Sequence, residues 1–170
     1  MTERTGAGAL KTAFFNTLAS GFYISYLPTA ILKNRKCSGA GLLGSLEGLL
    51  LLPFLPQAPV PFAFFLLAFT AFAIWVSGRA HFSEGAEHDN PRIVIDEIAG
   101  IWWACAFLPR TLPALAAAFV LFRFFDTVKP FFIRRLDAIK SGAGIVLDDV
   151  ASAVLANILV RVGMQCANYL

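Results

Sequence analysis

Charge is what this sequence has least of: Asp, Glu, Lys and Arg make up 15% of its 170 residues, against about a quarter in an ordinary soluble domain. Cysteine occurs three times, at Cys37, Cys105 and Cys166, and histidine twice, at His81 and His88. The cysteines are odd in number and form no CxxC pair, and the histidines lack ligand spacing to each other or to a cysteine. Neither a disulfide framework nor a structural zinc site is therefore indicated. Lys and Arg build no long basic stripe, which argues against nucleic acid as a partner. No Ser/Gly-rich or Pro-rich linker divides the chain, so one domain over residues 1–170 is expected. Nor is a cleavable signal peptide expected: Met1 to Ala9 is polar and small, and no convincing cleavage site follows.

What is present is apolar. Hydrophobic residues reach 58%, Phe alone occurs 17 times, and the mean hydropathy is +0.69. The excess falls in runs rather than in amphipathic alternation, which points to lipid as solvent. Gly8 to Leu32 is aromatic-rich but interrupted by Lys11, Asn16 and Pro28, so it either spans a bilayer or lies in its interface as a re-entrant helix. Leu42 to Leu55 and the charge-free Val60 to Val76 read as a helical hairpin around the turn Pro53 to Pro61. Ile93 to Leu108, Leu112 to Phe125 and Ile145 to Val162 are three more apolar segments. Several are shorter than the roughly 20 residues of an ideal span, as tilted or partly re-entrant helices would be. The fold class expected is all-α, a polytopic transmembrane helical bundle.

Placement of charge orients that bundle. Lys33, Arg35, Lys36, Arg79, Arg92, Lys129, Arg134, Arg135 and Lys140 all fall in alternate loops, whereas the intervening turns carry only Arg110. The positive-inside rule makes the first set cytoplasmic, and the acidic residues share that side.

Ionisable groups at membrane depth cost at least about 2.5 kcal/mol each, so they call for partners or a function. Asp96-Glu97 open one apolar segment and Asp148-Asp149 another, each at the helix end where a carboxylate meets the favourable dipole. Arg123, Asp126 and Lys129, spaced i, i+3, i+6, are predicted to line one side of a helix. Carboxylates gathered in one layer repel unless a cation sits among them, and hard oxygen ligands suit Mg²⁺, or Mn²⁺ or Ca²⁺. Arg123 and Lys129 suit an anionic, phosphate-bearing substrate. The bland alternative is that such pairs are structural, or solvated at the membrane edge. For Arg134, Arg135 and Lys140, contacts with lipid headgroups are the simpler reading; for Trp102 and Trp103, packing or interface anchoring.

Three segments together resemble the phosphatidylglycerophosphatase A family of bacterial membrane lipid phosphatases. They are Asp89-Asn90-Pro91-Arg92-Ile93-Val94-Ile95-Asp96-Glu97 with Gly100, then Phe122-Arg123-Phe124-Phe125-Asp126-Thr127-Val128-Lys129-Pro130 with Ile133, and Gly142-Ala143-Gly144-Ile145-Val146-Leu147-Asp148-Asp149 with Ala151. The resemblance covers residues 39–170 and leaves 1–38 as a divergent N-terminal segment. It implies a Mg²⁺-dependent phosphomonoesterase of the inner membrane that converts phosphatidylglycerophosphate to phosphatidylglycerol at a cytoplasmic-facing site. Carried over, Asp96, Glu97, Asp126, Asp148 and Asp149 become the metal ligands, and Asp96, Glu97, Asp126 and Asp149 the catalytic acids. Arg123, Lys129, Gly44 and Ser45 become the phosphate-binding set. One departure stands out: where the family usually reads PGTxGSL, this chain has Ala40-Gly41-Leu42-Leu43-Gly44-Ser45-Leu46, without the Pro and Thr and with Glu47 after it. The competing expectation is a non-catalytic or altered-substrate relative that binds anionic lipid phosphates.

Overall fold

Apolar runs with helix-forming spacing become helices throughout. A computed structural model of the protein describes residues 6–31, 39–82 and 90–167, and among these there is no strand. The helices are α1 (Gly6–Ala19), α2 (Tyr26–Ile31), α3 (Ala40–Leu51), α4 (Pro59–Ser77), α5 (Ile95–Ala104), α6 (Leu112–Val128), α7 (Phe131–Asp137) and α8 (Gly142–Ala167). Prolines mark two starts, at Pro59 of α4 and Pro113 of α6, where the missing N–H costs nothing. Lys33, Arg35, Lys36, His88 and Asp89 lie outside the described residues.

Helix α5 is the centre of the bundle, packed against α3, α4, α6 and α8. Ile101 and Phe122 are fully buried there, and Gly100 lets the Phe122 ring lie directly on the α5 backbone. The two indoles of α5 point inward rather than to an interface. Trp102 Nε1 donates to the Gly48 carbonyl at 2.7 Å and Trp103 Nε1 to Thr70 Oγ1 at 2.9 Å, so each buried N–H is satisfied.

Two helices, α4 and α8, are long and apolar enough to cross a membrane. At 1.5 Å per residue, α5 is only about 15 Å long, so it stops partway through the bundle. Its end is held by side chains of α8. Asn157 Nδ2 donates to the carbonyls of Ala104 and Ala106 at 2.8 and 2.9 Å, and Arg161 Nη2 donates to Ala106 at 2.8 Å. Outward faces carry large apolar groups, among them Phe64, Leu67 and Trp75 on α4 and Ile158 and Val162 on α8. An aqueous surface would seldom present so contiguous an apolar face.

The stretch expected either to span or to be re-entrant is broken. Helix α1 ends at Ala19, and Gly21, Phe22 and Tyr23 all adopt left-handed backbone (φ 56°, 50° and 71°) before α2 begins. That turn docks on the chain leading into α5. Val94 N–H donates to the Ala19 carbonyl at 2.8 Å, Ser25 Oγ to the Arg92 carbonyl at 2.9 Å, and the Arg92 guanidinium lies over the Tyr26 ring.

Candidate active site

Helices α3, α5 and α8 start, and α4 and α6 finish, at one end of the bundle. The five carboxylates expected to hold a metal are all at that end, on three different helices. Asp96 and Glu97 occupy the first turn of α5. Asp148 and Asp149 lie in the second turn of α8, and Asp126 is near the end of α6. Asp96, Asp148 and Asp149 are buried; Glu97 and Asp126 are each 15% exposed, at the edge of the cluster.

The glycines of the α8 motif bring its acids inward. A Cβ on Gly142 would overlap the Ile74 carbonyl and Gly78 at the end of α4, and a Cβ on Gly144 would overlap the Ile139 carbonyl. Close backbone approach at both positions sets the entry of α8, and with it Asp148 and Asp149.

These acids form two groups in which the ligand oxygens lie within 4.8 Å of one another: Asp96, Glu97 and Asp149, and Asp126, Asp148 and Asp149. Asp149 belongs to both. Its Oδ2, like Oδ1 of Asp148, is buried with no hydrogen-bond donor. Orphaned carboxylate oxygens are costly to bury. The donor set fits a hard divalent cation, being all carboxylate with no thiolate or imidazole.

Two cationic side chains bind the rim of this cluster. Arg123 Nη1 lies 3.0 Å from Asp126 Oδ2 and 4.0 Å from Glu97 Oε1, and it donates to Ser45 Oγ at 3.3 Å. The Arg123–Asp126 contact is the i, i+3 pair expected from sequence. Lys129 departs from the expected row, because it closes α6 in a left-handed conformation (φ 45°) rather than continuing the helix. Pro130 follows, and Arg134 Nε caps the Lys129 carbonyl at 2.9 Å. Lys129 Nζ consequently reaches Asp148 Oδ2 at 2.7 Å and Asp137 Oδ1 at 2.6 Å instead of Asp126. Burial alone would lower the Lys129 pKa, but these two bonds outweigh it and the ammonium is held above its ordinary value. Arg135 and Lys140 lie near this end, outside the cluster.

Of the N-terminal motif, Gly41 and Ser45 meet the site. A side chain at Gly41 would collide with Glu97 Oε1, and Ser45 Oγ donates to the Gly41 carbonyl at 2.8 Å while accepting from Arg123. Gly44 and Ser45 lie past the first turn of α3, so their amides serve the helix itself. Gly44 instead gives room to Val94. Glu47 joins neither carboxylate group and pairs with no described cation. Its Oε2 is buried without a donor, against the turn at Gly21.

Asp137, Asn157 and Arg161 were not anticipated. The last two carried a legible signal, an Asn and Arg four residues apart inside an apolar segment, where polar groups are expensive. His81 holds Asn16 through its backbone alone, accepting and donating at 2.7 and 2.9 Å.

A family model described as Phosphatidylglycerophosphatase A matches residues 17–164. A Bacteroides thetaiotaomicron protein named "Putative phosphatidylinositol-3-phosphatase" is 36% identical over 100 residues, 57% of this chain and 62% of that protein. Phosphatidylglycerophosphatase A of Haemophilus influenzae is 45% identical over 75 residues, 43% of this chain and 46% of the relative. Its Escherichia coli namesake is 40% identical over 79 residues, 45% of this chain and 46% of the relative. The matches thus span between 46% and 62% of these relatives' own lengths. No solved structure matches the chain. With the family model covering most of its length and two relatives bearing the family's name, the chain belongs to the phosphatidylglycerophosphatase A family.

Proposed function

We propose that this protein is a membrane-embedded, Mg²⁺-dependent phosphomonoesterase that hydrolyses phosphatidylglycerophosphate to phosphatidylglycerol and phosphate. The observation that carries this reading is the convergence of carboxylates from α5, α6 and α8 on Asp149, with Arg123 and Lys129 bound to their rim. The names of the Haemophilus and Escherichia relatives supply the lipid.

Asp96, Glu97, Asp126, Asp148 and Asp149 would hold the cation. Once bound, it offsets the charge of the phosphate and acidifies adjacent water. The chain's own residues do the rest. Arg123, fixed by Asp126 and Ser45, presents its guanidinium to the phosphoryl oxygens as the ester bond loosens. Lys129 holds Oδ2 of Asp148 and leaves its Oδ1 turned into the cluster. A proton taken from water must leave toward solvent, which favours an acid at the cluster's edge as general base. Asp126 is such an acid, whereas Asp149 is enclosed at the centre. An aspartyl-phosphate route is less suited, because no DxDx(T/V) run occurs in the sequence.

Membrane residence rests on the apolar outer faces of α4 and α8 and on the headgroup-linked substrate. Arg79, Arg92, Lys129, Arg134, Arg135 and Lys140 stand at the site end, which would place it in the cytoplasm. Arg161 joins Arg110 at the opposite end, which narrows the bias without reversing its sign.

The Bacteroides relative's name favours a second substrate, a phosphoinositide 3-phosphate. Purified protein in detergent, given each lipid with Mg²⁺ or with chelator, separates the readings by phosphate release. Cleavage of phosphatidylglycerophosphate that stops on chelation is expected. Preference for the phosphoinositide would reassign the substrate. No release from either lipid, or release indifferent to chelator, would remove the metallophosphatase reading.

A further inference from the structure

Both carboxylate groups contain Asp149, and that shared membership has a consequence for how many cations the site takes. The group on the α5 side is Asp96, Glu97 and Asp149; the group on the α6 side is Asp126, Asp148 and Asp149. Each is a complete three-carboxylate set by itself, and no other acid is shared between them. Asp149 is 3% exposed, and its Oδ2 has no hydrogen-bond donor although it sits among four other carboxylates. Asp148 gives Oδ2 to Lys129 and leaves Oδ1 buried and unpartnered. Asp126 likewise gives Oδ2 to Arg123. The basic side chains therefore occupy one oxygen of each outer acid in the second group and leave the other for a ligand.

Charge points the same way. Five carboxylates, with Asp137 as a sixth on Lys129, stand against Arg123 and Lys129 and leave four formal negative charges in this constellation. One divalent cation would leave these groups net negative, and a phosphate monoester dianion would be repelled. Two would bring them to neutrality, and the dianion would no longer be repelled.

We propose that the site takes two divalent cations, with Asp149 bridging them, Asp96 and Glu97 completing one position, and Asp126 and Asp148 completing the other. This deepens the phosphatase reading, since it assigns each acid to a numbered ion, but it is tested without substrate. Full-length protein in detergent is stripped with chelator and titrated with Mn²⁺, the ion count is taken from binding isotherms, and the coupling from electron paramagnetic resonance. Wild type is expected to bind two ions per chain and to show the spectrum of a spin-coupled pair. Asp126→Asn and Glu97→Gln should each retain one ion with an uncoupled spectrum, and Asp149→Asn should weaken both positions by about tenfold or more. Helix content by circular dichroism verifies that each variant is folded, and Asp96→Asn replaces Glu97→Gln if the latter is not.

One uncoupled ion in wild type would overturn the proposal. So would Asp149→Asn that loses one ion while binding the other at wild-type affinity. Two coupled ions in a protein that cleaves neither lipid would instead defeat the phosphatase reading and leave the cation pair standing.

Discussion

Lys129 and Asp137 form a pair whose two ends should behave differently. The ammonium bonds a buried carboxylate, Asp148, and an exposed one, Asp137, which is 42% exposed. Lys129→Ala would leave Asp148 buried without its cation, and such a loss typically costs about 2–3 kcal/mol. Asp137→Asn removes an exposed ion pair worth no more than about 1 kcal/mol. Thermal unfolding in detergent should show a clear drop for Lys129→Ala and almost none for Asp137→Asn, and only the first should reduce phosphate release. Equal effects would mean that Asp137, not Asp148, is the important partner. At Asp149 the expected sign is opposite. Asp149→Asn removes a charge held among like charges, so in chelator this variant should melt above wild type, by a few degrees for about 1 kcal/mol. A lower melting temperature in chelator would show that Asp149 stabilises the fold rather than straining it. All five acids were legible in the sequence because charges are so scarce in it that each stood out. Asp137 was not, since it ends the short helix α7 beside Arg134 and Arg135, where an acid among basic residues attracts no notice.

Helix α5 is short for its position, and its C-terminal carbonyls are satisfied by side chains of α8. Asn157→Leu would take the donor from two carbonyls at once, those of Ala104 and Ala106, though Arg161 still reaches Ala106. One buried carbonyl left without a donor costs about 1–3 kcal/mol. The variant should therefore melt lower while still binding Mn²⁺, because Asn157 lies two turns, about 12 Å, along α8 from Asp149. Loss of ion binding with unchanged stability would contradict that division of labour. Segment boundaries from the sequence came close for α4 and α6, where apolar length and proline starts agree, whereas α8 begins three residues before and ends five residues after the expected Ile145 to Val162. The break at Gly21 to Tyr23 was not legible, because left-handed Phe22 and Tyr23 owe their conformation to docking on Arg92 and Val94. Lys129 is a similar case: i, i+6 spacing put it on one helix face, but its left-handed cap redirected it to α8. The roles of Gly142 and Gly144 depend on which backbones cross, which no local pattern encodes.

The whole molecule separates a charged end, where the site lies, from an end closed by Arg110, Asn157 and Arg161. Arg110 Nη2 there donates to the Pro56 carbonyl at 3.2 Å. The proposed orientation makes the ends distinguishable by labelling in intact cells. With the three native cysteines replaced, Lys140→Cys should react only with reagent admitted to the cytoplasm, and Gln57→Cys with reagent applied outside. The reverse pattern would invert the topology. Glu47 and the altered 40–46 segment are the parts the family pattern describes least well, yet Gly41 and Ser45 still meet Glu97 and Arg123. The decisive claim is therefore that Asp149 is the centre on which the reaction depends. It is tested most directly by comparing phosphate release from phosphatidylglycerophosphate by wild type and Asp149→Asn, both in Mg²⁺ and both verified as folded. Loss of a hundredfold or more, about 2.7 kcal/mol in the barrier, is the expected result; turnover within a few-fold of wild type would contradict the account.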